Sequence, residues 1–582
     1  MSKLSIDQKT IEGLFSDKKT DFLIPDYQRP YAWEIKECQQ LWEDIFGFAF
    51  PDDDYEKFNN DDEYYLGTIV TFKNEDSKKL EVIDGQQRLT TLMLLLRAFY
   101  SKFGNMKDKN SVSTRETIGK CLWKGDEFGN LNIDVLKIDS EVATDNDKEE
   151  FLTILRNGEA PADKMKSNYA KNYRFFEEKI AEFLNNYPSF FPYLPNRILK
   201  NCILLPIEAE SQDTALRIFS TLNNRGLPLS DADIFKSEFY KKFSKLGRKD
   251  EFINRWKELE EKCNKYFNPI SGTPMDELFS RYMYYERAKM NITKSTTEAL
   301  RTFYSRDSYK LLNEGTMDNL ELLMDFWKDV LDQSEERFSS EVIRQLYVLE
   351  YAPNGMWTYF LSVYFMHYKD ENNMLDNEKL YLFLRKIVAF IWAYAVTNPG
   401  VNALRTPVYK EMNNIINDID VEFNEAKFDE EKTKIALQSF NYLNGRPITK
   451  SMLVWWAMST PEQAVPDLST RFEIEHIYAR NRNEKENTLS RASNVELLGN
   501  KSILEKRINI RASDYRFEDK KKYYRGYINK RNEPKPGTII KELENYANDS
   551  LKNDFNETDI KNRTSEILDS FIEYIRSEKL FK

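Results

Sequence analysis

The stretch "LEVIDGQQRLTTLMLLLRAFY", residues 80–100, changes its secondary structure within a few residues. Leu80, Val82 and Ile83 predict a short strand, and Asp84-Gly85 predicts a turn. From Gln86 onward the pattern predicts a helix that is apolar on nearly every face, so this helix must lie inside a domain. The stretch therefore predicts an α/β core with a rigidly held turn between strand and helix.

The turn at the start of this helix could bind a phosphate. A buried helix N-terminus presents backbone N–H groups without partners and a partial positive charge. Arg88 could add a bidentate contact, and Gln86 and Gln87 could donate amide hydrogen bonds. Asp84 could hold a metal ion or cap the helix. The alternative, in which Asp84-Gly85 only caps the helix, fits the local pattern better, and the chain contains no GxxxxGK[ST] of a P-loop.

Two further stretches could accompany this turn. "IPDYQRPYAW" places Gln28 and Arg29 in a proline-bounded aromatic loop. "FSTLNNRGLPLSDADI" offers Asn223 and Arg225 just before a glycine. Each stretch is a weak signal alone, because an aromatic turn is usually packing and Asn-Asn-Arg-Gly usually ends a helix.

Length and composition predict a mainly helical globular protein. A chain of 582 residues is expected to hold roughly two to four domains. Its 41% hydrophobic residues can bury sizeable cores, and the low Gly and Pro counts argue against an all-β architecture. From about residue 251 to residue 458, apolar residues recur at spacings of three and four, which predicts a helical connector.

Cysteine usage and hydropathy predict a cytoplasmic protein without a membrane segment. The four cysteines show no paired spacing, which supports neither a disulfide framework nor a zinc ribbon. The N-terminus lacks the apolar core of a signal peptide. The longest apolar run, residues 387–396, is about half the length of a membrane span.

The net charge of -11 is unevenly distributed along the chain. Residues 477–535 contain sixteen Lys or Arg against eight Asp or Glu. A basic region of this kind could bind the phosphates of a nucleic acid. The alternative is a solvated helix surface, since helices rich in Lys and Arg are common.

The stretch "RFEIEHIYAR", residues 471–480, contains one of the two histidines of the chain. Apolar residues alternate there with Glu473 and Glu475, which predicts a half-buried strand ending near His476. An imidazole suits the role of general base near neutral pH, and Glu475 could supply an oxygen ligand to Mg²⁺. The other histidine, His367, lies in an apolar helical pattern and is expected to be structural.

Downstream, "NVELLGNKSILEKRINI" predicts a short strand, a Gly499-Asn500 turn and a helix with Ile503, Leu504 and Ile508 facing inward. Strand, loop, strand and helix, with a histidine on the first strand, is the ββα-metal or HNH arrangement. In that arrangement Asn500 would tie the loop beside the histidine, and Asn509 would be a second ligand to Mg²⁺. The alternative is a Glu-His pair at a strand edge, with Asn500 as an ordinary turn residue.

The four motifs "IPDYQRPYAW", "YLGTIV", "VIDGQQRLTTL" and "FSTLNNRGLPLSDADIFK", in this order, resemble the N-terminal domain of the GmrSD family of modification-dependent (type IV) restriction endonucleases. Related domains occur in SspE-like and BrxU-like defence proteins. The resemblance implies a ParB/sulfiredoxin-like fold that binds and hydrolyses a nucleoside triphosphate such as GTP, ATP or UTP. It implies a nucleotide site made of Asp84, Gly85, Gln86, Gln87, Arg88, Gln28 and Arg29, with Asn223 and Arg225 lining or shaping the pocket.

A second set of motifs, "IEHIYARN", "VELLGNKSILEKRIN" and "FEDKKKYY", resembles the C-terminal HNH domain of the same family. The resemblance implies a DNA endonuclease in which His476, Glu475, Asn500 and Asn509 form the catalytic set. Glu475 and Asn509 would hold Mg²⁺ or another divalent cation. Family members commonly have a proline and a glutamine after the His-Ile pair, where this chain has Tyr478, Ala479 and Arg480.

These observations together predict three regions: a nucleotide-binding NTPase domain at residues 1–240, a helical connector at 241–445 and an HNH-type nuclease domain at 446–582. The predicted function is an NTP-dependent endonuclease of anti-phage defence that cuts modified foreign DNA. One alternative is a nucleotide-dependent DNA-binding sensor with a degenerate nuclease domain. Another is a nuclease acting on RNA, which the stretch "KKKYYRGYINKR" leaves open. The sequence also leaves open whether the chain forms a homo-oligomer.

Overall fold

The structure is a computed structural model that describes residues 5–6, 8–17, 20–26, 28–74, 78–126, 129–142, 145, 147–159, 167–211, 214–215, 218, 230–296, 299–306, 311, 313, 315–398, 400 and 404–582. It divides into two compact units, Met1–Glu258 and Leu259–Lys582. Asn223 and Arg225 lie outside the described residues. The division into three functional regions stays a prediction.

The first unit is built on a mixed sheet of seven strands among its described residues. The strands of this unit are β1 (Ser5–Ile6), β2 (Lys9–Thr10), β3 (Phe22–Ile24), β4 (Tyr64–Lys73), β5 (Leu80–Asp84), β6 (Trp123–Gly125), β7 (Leu131–Leu136), β8 (Ile138–Ser140) and β9 (Cys202–Ala209). Strands β6 and β7 form a hairpin separate from the seven-stranded sheet. The sheet order is β1-β9-β4-β5-β3-β8, and β2 also pairs with β9. Strand β5 is therefore central, parallel to β3 and antiparallel to β4.

The helices of the first unit lie between and after its strands in the chain, and the last of them runs across the boundary at Glu258. They are Ile11–Phe15, Ile35–Ala49, Gln86–Lys102, Lys109–Leu122, Lys148–Asn157, Asn168–Asn186, Tyr193–Asn201, Asp231–Lys245 and Lys249–Tyr266, with single 3₁₀ turns at Pro51–Asp53 and Phe103–Asn105. The helix Gln86–Lys102 packs against Asn168–Asn186 and is buried along most of its length, from Leu89 to Phe99. The prediction of a strand, a turn and a buried helix at residues 80–100 is confirmed.

The second unit is mostly helical, as the apolar spacing predicted. Its helices before the histidine segment are Pro274–Lys289, Leu300–Arg306, Thr316–Leu331, Ser340–Leu349, Met356–Tyr368, Asn377–Thr397, Arg405–Ile416, Glu430–Ser439 and Pro447–Ser459, with a 3₁₀ turn at Asn424–Ala426. The helix Asn377–Thr397 is long and apolar enough to cross a membrane, but 61% of its apolar window is buried within the protein. Such burial is typical of a core helix.

The rest of this unit adds two short strand pairs: β10 (Phe472–His476) with β11 (Lys501–Glu505), and β12 (Gly526–Ile528) with β13 (Pro534–Pro536). Its helices are Arg480–Glu486, Lys506–Ala512, Phe517–Arg525, Lys541–Asn548 and Glu557–Ser577, with 3₁₀ turns at Ala492–Glu496 and Leu498–Asn500. Because a helix follows β11 directly, the order strand, loop, strand, helix is present.

Two local predictions were wrong in this segment. The stretch before Gly499, predicted to be a short strand, lies in the 3₁₀ turns Ala492–Glu496 and Leu498–Asn500. Ile503 and Leu504 lie on strand β11, where they pair with Ile474 and Glu473, and not on the following helix. That helix starts only at Lys506. A short apolar run has no measurable period of its own, so pairing with β10 decides its conformation. The mixed α/β sheet and mostly helical remainder are as predicted, and the ParB-like and HNH folds stay predictions.

Candidate functional site

The first candidate site is the DGQQR turn at the end of strand β5. Gly85 is the N-cap of the helix Gln86–Lys102 and has a left-handed backbone with a φ of 91°. A β-carbon at Gly85 would lie only 3.1 Å from the carbonyl oxygen of Thr68, so a side chain would be strained there. Gly85 has no side chain, so the N-cap residue itself supplies no side-chain cap. The first backbone N–H groups of the helix can therefore face an anion.

Two of the predicted ligands instead hold the neighbouring loop in place. The Gln28 side chain donates to two carbonyl oxygens of strand β5 at 3.2 Å. The Gln87 side chain accepts a hydrogen bond from the Ala32 N–H at 2.6 Å and donates one to the Pro30 carbonyl at 3.1 Å. Both side chains are buried. Gln28 and Gln87 are thus positioning residues that join the loop to the strand and the helix.

The other predicted residues cluster around the helix start. Gln86 donates to the Arg29 carbonyl at 3.4 Å, and its buried Oε1 has no hydrogen-bond partner among the described residues. Arg88 donates to the Thr68 carbonyl at 2.9 Å. Burial raises the pKa of Asp84, although the Gly85 N–H and the charges of Arg88 and Arg29 oppose the shift. This cluster combines a helix N-terminus, two guanidinium groups, an amide and a carboxylate.

The second candidate site surrounds His476 at the end of strand β10. Only 9% of this residue is exposed. Its Nε2 atom lies 3.6 Å from Oε2 of Glu496, which is too long for a hydrogen bond, and has no hydrogen-bond partner in this fully described part of the chain. Glu496 also pairs with Arg480 at 2.6 Å and with Lys501 at 2.7 Å. One carboxylate therefore links the histidine to two cations.

These neighbours keep the imidazole neutral. Burial lowers the pKa of His476 to about 4, and the positive charges of Arg480 and Lys501 act in the same direction, while Glu496 opposes them. Burial disfavours ionisation of Glu496, but the hydrogen bond and charge of Lys501 outweigh burial and lower the pKa of this carboxyl group. At neutral pH the site thus holds an unprotonated imidazole beside an ionised carboxylate.

Asn500 fixes the chain segment that follows the histidine. Its Oδ1 accepts a hydrogen bond from the Tyr478 N–H at 2.7 Å, and its Nδ2 donates to the carbonyls of Tyr478 and Val495. The residue is fully buried. The preceding Gly499 packs so closely on the helix Glu557–Ser577 that a β-carbon would lie within 2.4 Å of the Thr564 N atom. Asn500 therefore lies where the sequence placed it, tying the loop beside His476, and its part in catalysis stays a prediction.

Glu475 makes a different set of contacts from its neighbour. Successive side chains of a strand point to opposite faces, and Glu475 faces the helix Phe517–Arg525. Its Oε1 accepts hydrogen bonds from Lys520 at 2.6 Å and from Tyr524 at 2.7 Å. Lys520 also donates to the carbonyl oxygen of His476 at 2.7 Å. Adjacency in sequence therefore does not bring the Glu475 carboxylate beside the imidazole.

The predicted metal ligands do not fit a divalent cation in this arrangement. Glu475 is engaged by Lys520 and Tyr524, and the Asn509 amide donates to Glu473 at 3.2 Å. A Mg²⁺ ion needs several open oxygen ligands in octahedral geometry. Within the described ranges, no group of three or more His, Cys, Asp or Glu side chains could hold a metal ion.

Three residues that define the electrostatics of this site were not predicted from the sequence: Glu496, Lys501 and Lys520. Lys501 and Lys520 are fully buried charged side chains, a rare condition unless each is paired. Lys501 lies on β11, which is buried at four of its five residues, and Lys520 lies on the helix Phe517–Arg525, and neither position carries a local signal of this pairing. The one usable signal in the sequence was Arg480, because a cation close to a general base requires a nearby carboxylate to balance its charge.

Two family models match the chain. Residues 11–240 match the N-terminal domain of GmrSD restriction endonucleases. Residues 425–570 match the C-terminal domain of GmrSD restriction endonucleases. No curated protein matches the chain. With both domains present in the expected order, the chain belongs to the GmrSD family of restriction endonucleases.

Proposed function

We propose that this restriction-type nuclease hydrolyses phosphodiester bonds of DNA with His476 as the general base. The observation that supports this role is the neutral imidazole, whose Nε2 has no hydrogen-bond partner in this fully described part of the chain. In the tautomer with the ring proton on Nδ1, Nε2 can accept a proton from water. Asn500 holds the adjoining loop, so the geometry of the base does not depend on the substrate.

In this reaction, His476 Nε2 takes a proton from a water molecule while the water oxygen forms a bond to phosphorus. The bond between phosphorus and the 3′-oxygen breaks, and the leaving oxygen is protonated afterwards. Negative charge increases on the phosphate during the attack, so nearby cations stabilise the transition state. Arg480, whose side chain is 47% exposed, is the accessible cation beside the base.

We further propose that a DNA phosphate competes with Glu496 for Arg480. In the free protein Glu496 lies against Nε2 and accepts the Arg480 guanidinium. A phosphate could accept the same guanidinium in bidentate geometry. Transfer of Arg480 to the phosphate would free the Glu496 carboxylate and open space beside Nε2 for the attacking water. No step in this scheme passes through a metal ion.

The N-terminal domain is proposed to bind and hydrolyse a nucleoside triphosphate. Support comes from the helix start at Gly85, an N-cap residue without a side chain, from the Arg88 and Arg29 guanidinium groups near Asp84, and from the buried Gln86 Oε1. Helix N-termini and arginine side chains are the groups that bind phosphates in proteins. Dependence of cleavage on this nucleotide and on a modified base in phage DNA belongs to the same proposal, as does action in the cytoplasm. A divalent cation is proposed to accompany the triphosphate at Asp84 and not to act at His476.

One observation favours a second function. The Glu475 carboxylate is held by Lys520 and Tyr524 instead of facing the base, an arrangement expected of a DNA-binding sensor whose nuclease domain has lost a ligand. A nicking assay separates the two functions. Purified protein is incubated with supercoiled plasmid and with modified phage DNA, with each triphosphate, and with Mg²⁺ or EDTA. Nicking that disappears in His476→Ala supports the endonuclease, whereas binding without nicking under every condition supports the sensor.

A further inference from the structure

The hydrolytic scheme does not use a cluster of tyrosines close to β12. Tyr515 and Tyr523 are stacked, with ring centroids 5.8 Å apart and planes at 10°. Tyr523 and Tyr527 meet edge to face at 5.2 Å. Tyr515 is 49% exposed and the other two rings are half-buried. We call these three residues the tyrosine row.

Cationic side chains accompany the tyrosine row. The Lys522 ammonium group lies 4.8 Å from the ring centroid of Tyr523, and the Arg511 guanidinium lies 6.0 Å from that of Tyr527. Residues 506–536 contain eleven Lys or Arg and four Asp or Glu. A surface with this charge attracts a phosphate backbone, whereas an acidic or neutral protein surface would gain less from it.

The tyrosine row is connected to strand β10, which carries the general base His476. The helix Phe517–Arg525 carries Lys520 and Tyr524, which donate to the Glu475 carboxylate from buried positions. Tyr523, the residue before Tyr524, belongs to the tyrosine row. A nucleotide base stacked on the tyrosine row would thus be held by the same helix that holds strand β10.

Exposed aromatic rings next to cations are the common features of proteins that bind unpaired nucleic acid strands. Bases stack on the rings regardless of sequence, and the cations follow the backbone. We infer that the tyrosine row binds unpaired bases of a DNA strand, with Lys522 and Arg511 near its phosphates. This inference rests on the proposed action on DNA and adds that the protein engages a distorted or opened strand next to the cleavage site.

The test measures binding in a His476→Ala background with EDTA, so cleavage plays no part. The probes are a fluorescent thymine oligonucleotide and an oligonucleotide of equal length and charge with abasic sites. We expect the background protein to bind the thymine probe at least about tenfold more tightly than the abasic probe, since each stacked base contributes substantially. Adding Tyr515→Leu and Tyr523→Leu should remove this preference, and Tyr515→Phe with Tyr523→Phe should keep it.

Equal affinity for the two probes in the background protein would overturn the inference, as would an unchanged preference in the leucine variant. Affinity of the leucine variant for the abasic probe serves as the folding control, because phosphate contacts should persist in a folded protein. If the leucine variant loses this control affinity, the phenylalanine variant decides, and loss of its preference also overturns the inference. The nicking assay reports on the proposed hydrolysis separately, so failure of one proposal leaves the other testable.

Discussion

The ammonium group of Lys520 lies 2.6 Å from the carboxylate of Glu475, and both side chains are almost completely buried. Burial of Glu475 raises the pKa of its carboxyl group, while the charge and hydrogen bond of Lys520 and the hydrogen bond of Tyr524 oppose the shift. The same ammonium donates to the carbonyl oxygen of His476. This ion pair therefore fixes the strand that carries the proposed base and occupies the carboxylate that the sequence assigned to a metal ion.

Replacing Lys520 with methionine should destabilise the second unit strongly. The variant would leave the Glu475 carboxylate buried without its cation, which typically costs about 3 to 5 kcal/mol. Thermal unfolding followed by circular dichroism would detect the change as a lower transition temperature. Lys522→Met on the exposed side of the same helix is the matched control and should behave like the wild type. Equal transition temperatures for Lys520→Met and the control would show that the pair contributes little.

The two histidines offer a matched test of the general base. His476→Ala should lower DNA cleavage by about a hundredfold or more, because loss of a general base typically has an effect of that size. His367→Ala should cleave at the wild-type rate, since the His367 side chain pairs with Asp418 at 2.9 Å and packs against Tyr368, and touches no residue of the proposed site. Rates come from single-turnover nicking of plasmid. Undiminished cleavage by His476→Ala would remove this residue from the mechanism.

The pH dependence of cleavage should depend on Arg480. Burial, Arg480 and Lys501 lower the pKa of His476 to about 4, so the base stays unprotonated and cleavage should decline only as the pH falls toward about 4. Removing the positive charge in Arg480→Ala raises that pKa, and the decline should begin at a higher pH. Arg480→Lys keeps the charge and should keep the wild-type profile. Identical profiles for the three proteins would show that Arg480 does not tune the base.

The sequence predicts an element well when its structure depends on residues that are close in the chain, and poorly when it depends on residues that are far apart in the chain. The buried helix from Gln86 was predictable because its apolar residues leave no face for solvent. The position of Asn500 was predictable only from the order strand, loop, strand and helix, since its hydrogen bond with the Tyr478 N–H joins residues 22 positions apart. Strand β11 was assigned to a helix because its conformation depends on pairing with β10. The contacts of Glu475 with Lys520 arise between residues distant in sequence, and no local pattern reports them.

In the N-terminal domain, Gln87 and Arg88 should give different phenotypes although they are adjacent. Arg88→Ala removes a charge-assisted phosphate contact of about 1.5 to 3 kcal/mol, so triphosphate affinity should fall at least about tenfold. Gln87→Ala removes the buried acceptor of the Ala32 N–H and should mainly lower thermal stability. A titration with fluorescent triphosphate and a melting curve on each variant measure both properties. An unchanged triphosphate affinity in Arg88→Ala would show that the DGQQR turn only begins the helix and does not bind the phosphates.

The presence of both GmrSD domains in one chain leads to a prediction about coupling. A ligand can shift the equilibrium between two arrangements only if it binds one of them more tightly, and such coupling is reciprocal between binding sites. If triphosphate at the DGQQR turn favours the arrangement that cleaves modified DNA, that DNA must in turn favour triphosphate binding. The nucleotide bound at the DGQQR turn would then determine whether the nuclease stays inactive on unmodified DNA.

We therefore expect modified DNA to change the rate of triphosphate hydrolysis and nucleotide to change the rate of nicking. Asp84→Asn keeps the size of the side chain but removes its charge from the cluster with Arg88 and Arg29, so hydrolysis and its response to DNA should both decrease. The measurement is phosphate release by wild type and Asp84→Asn with modified, plain or no DNA, with nicking scored in the same samples. Plain DNA cut as fast as modified DNA, with neither rate altered by nucleotide, would contradict the coupling. In that case the N-terminal domain would have a task other than control of the nuclease.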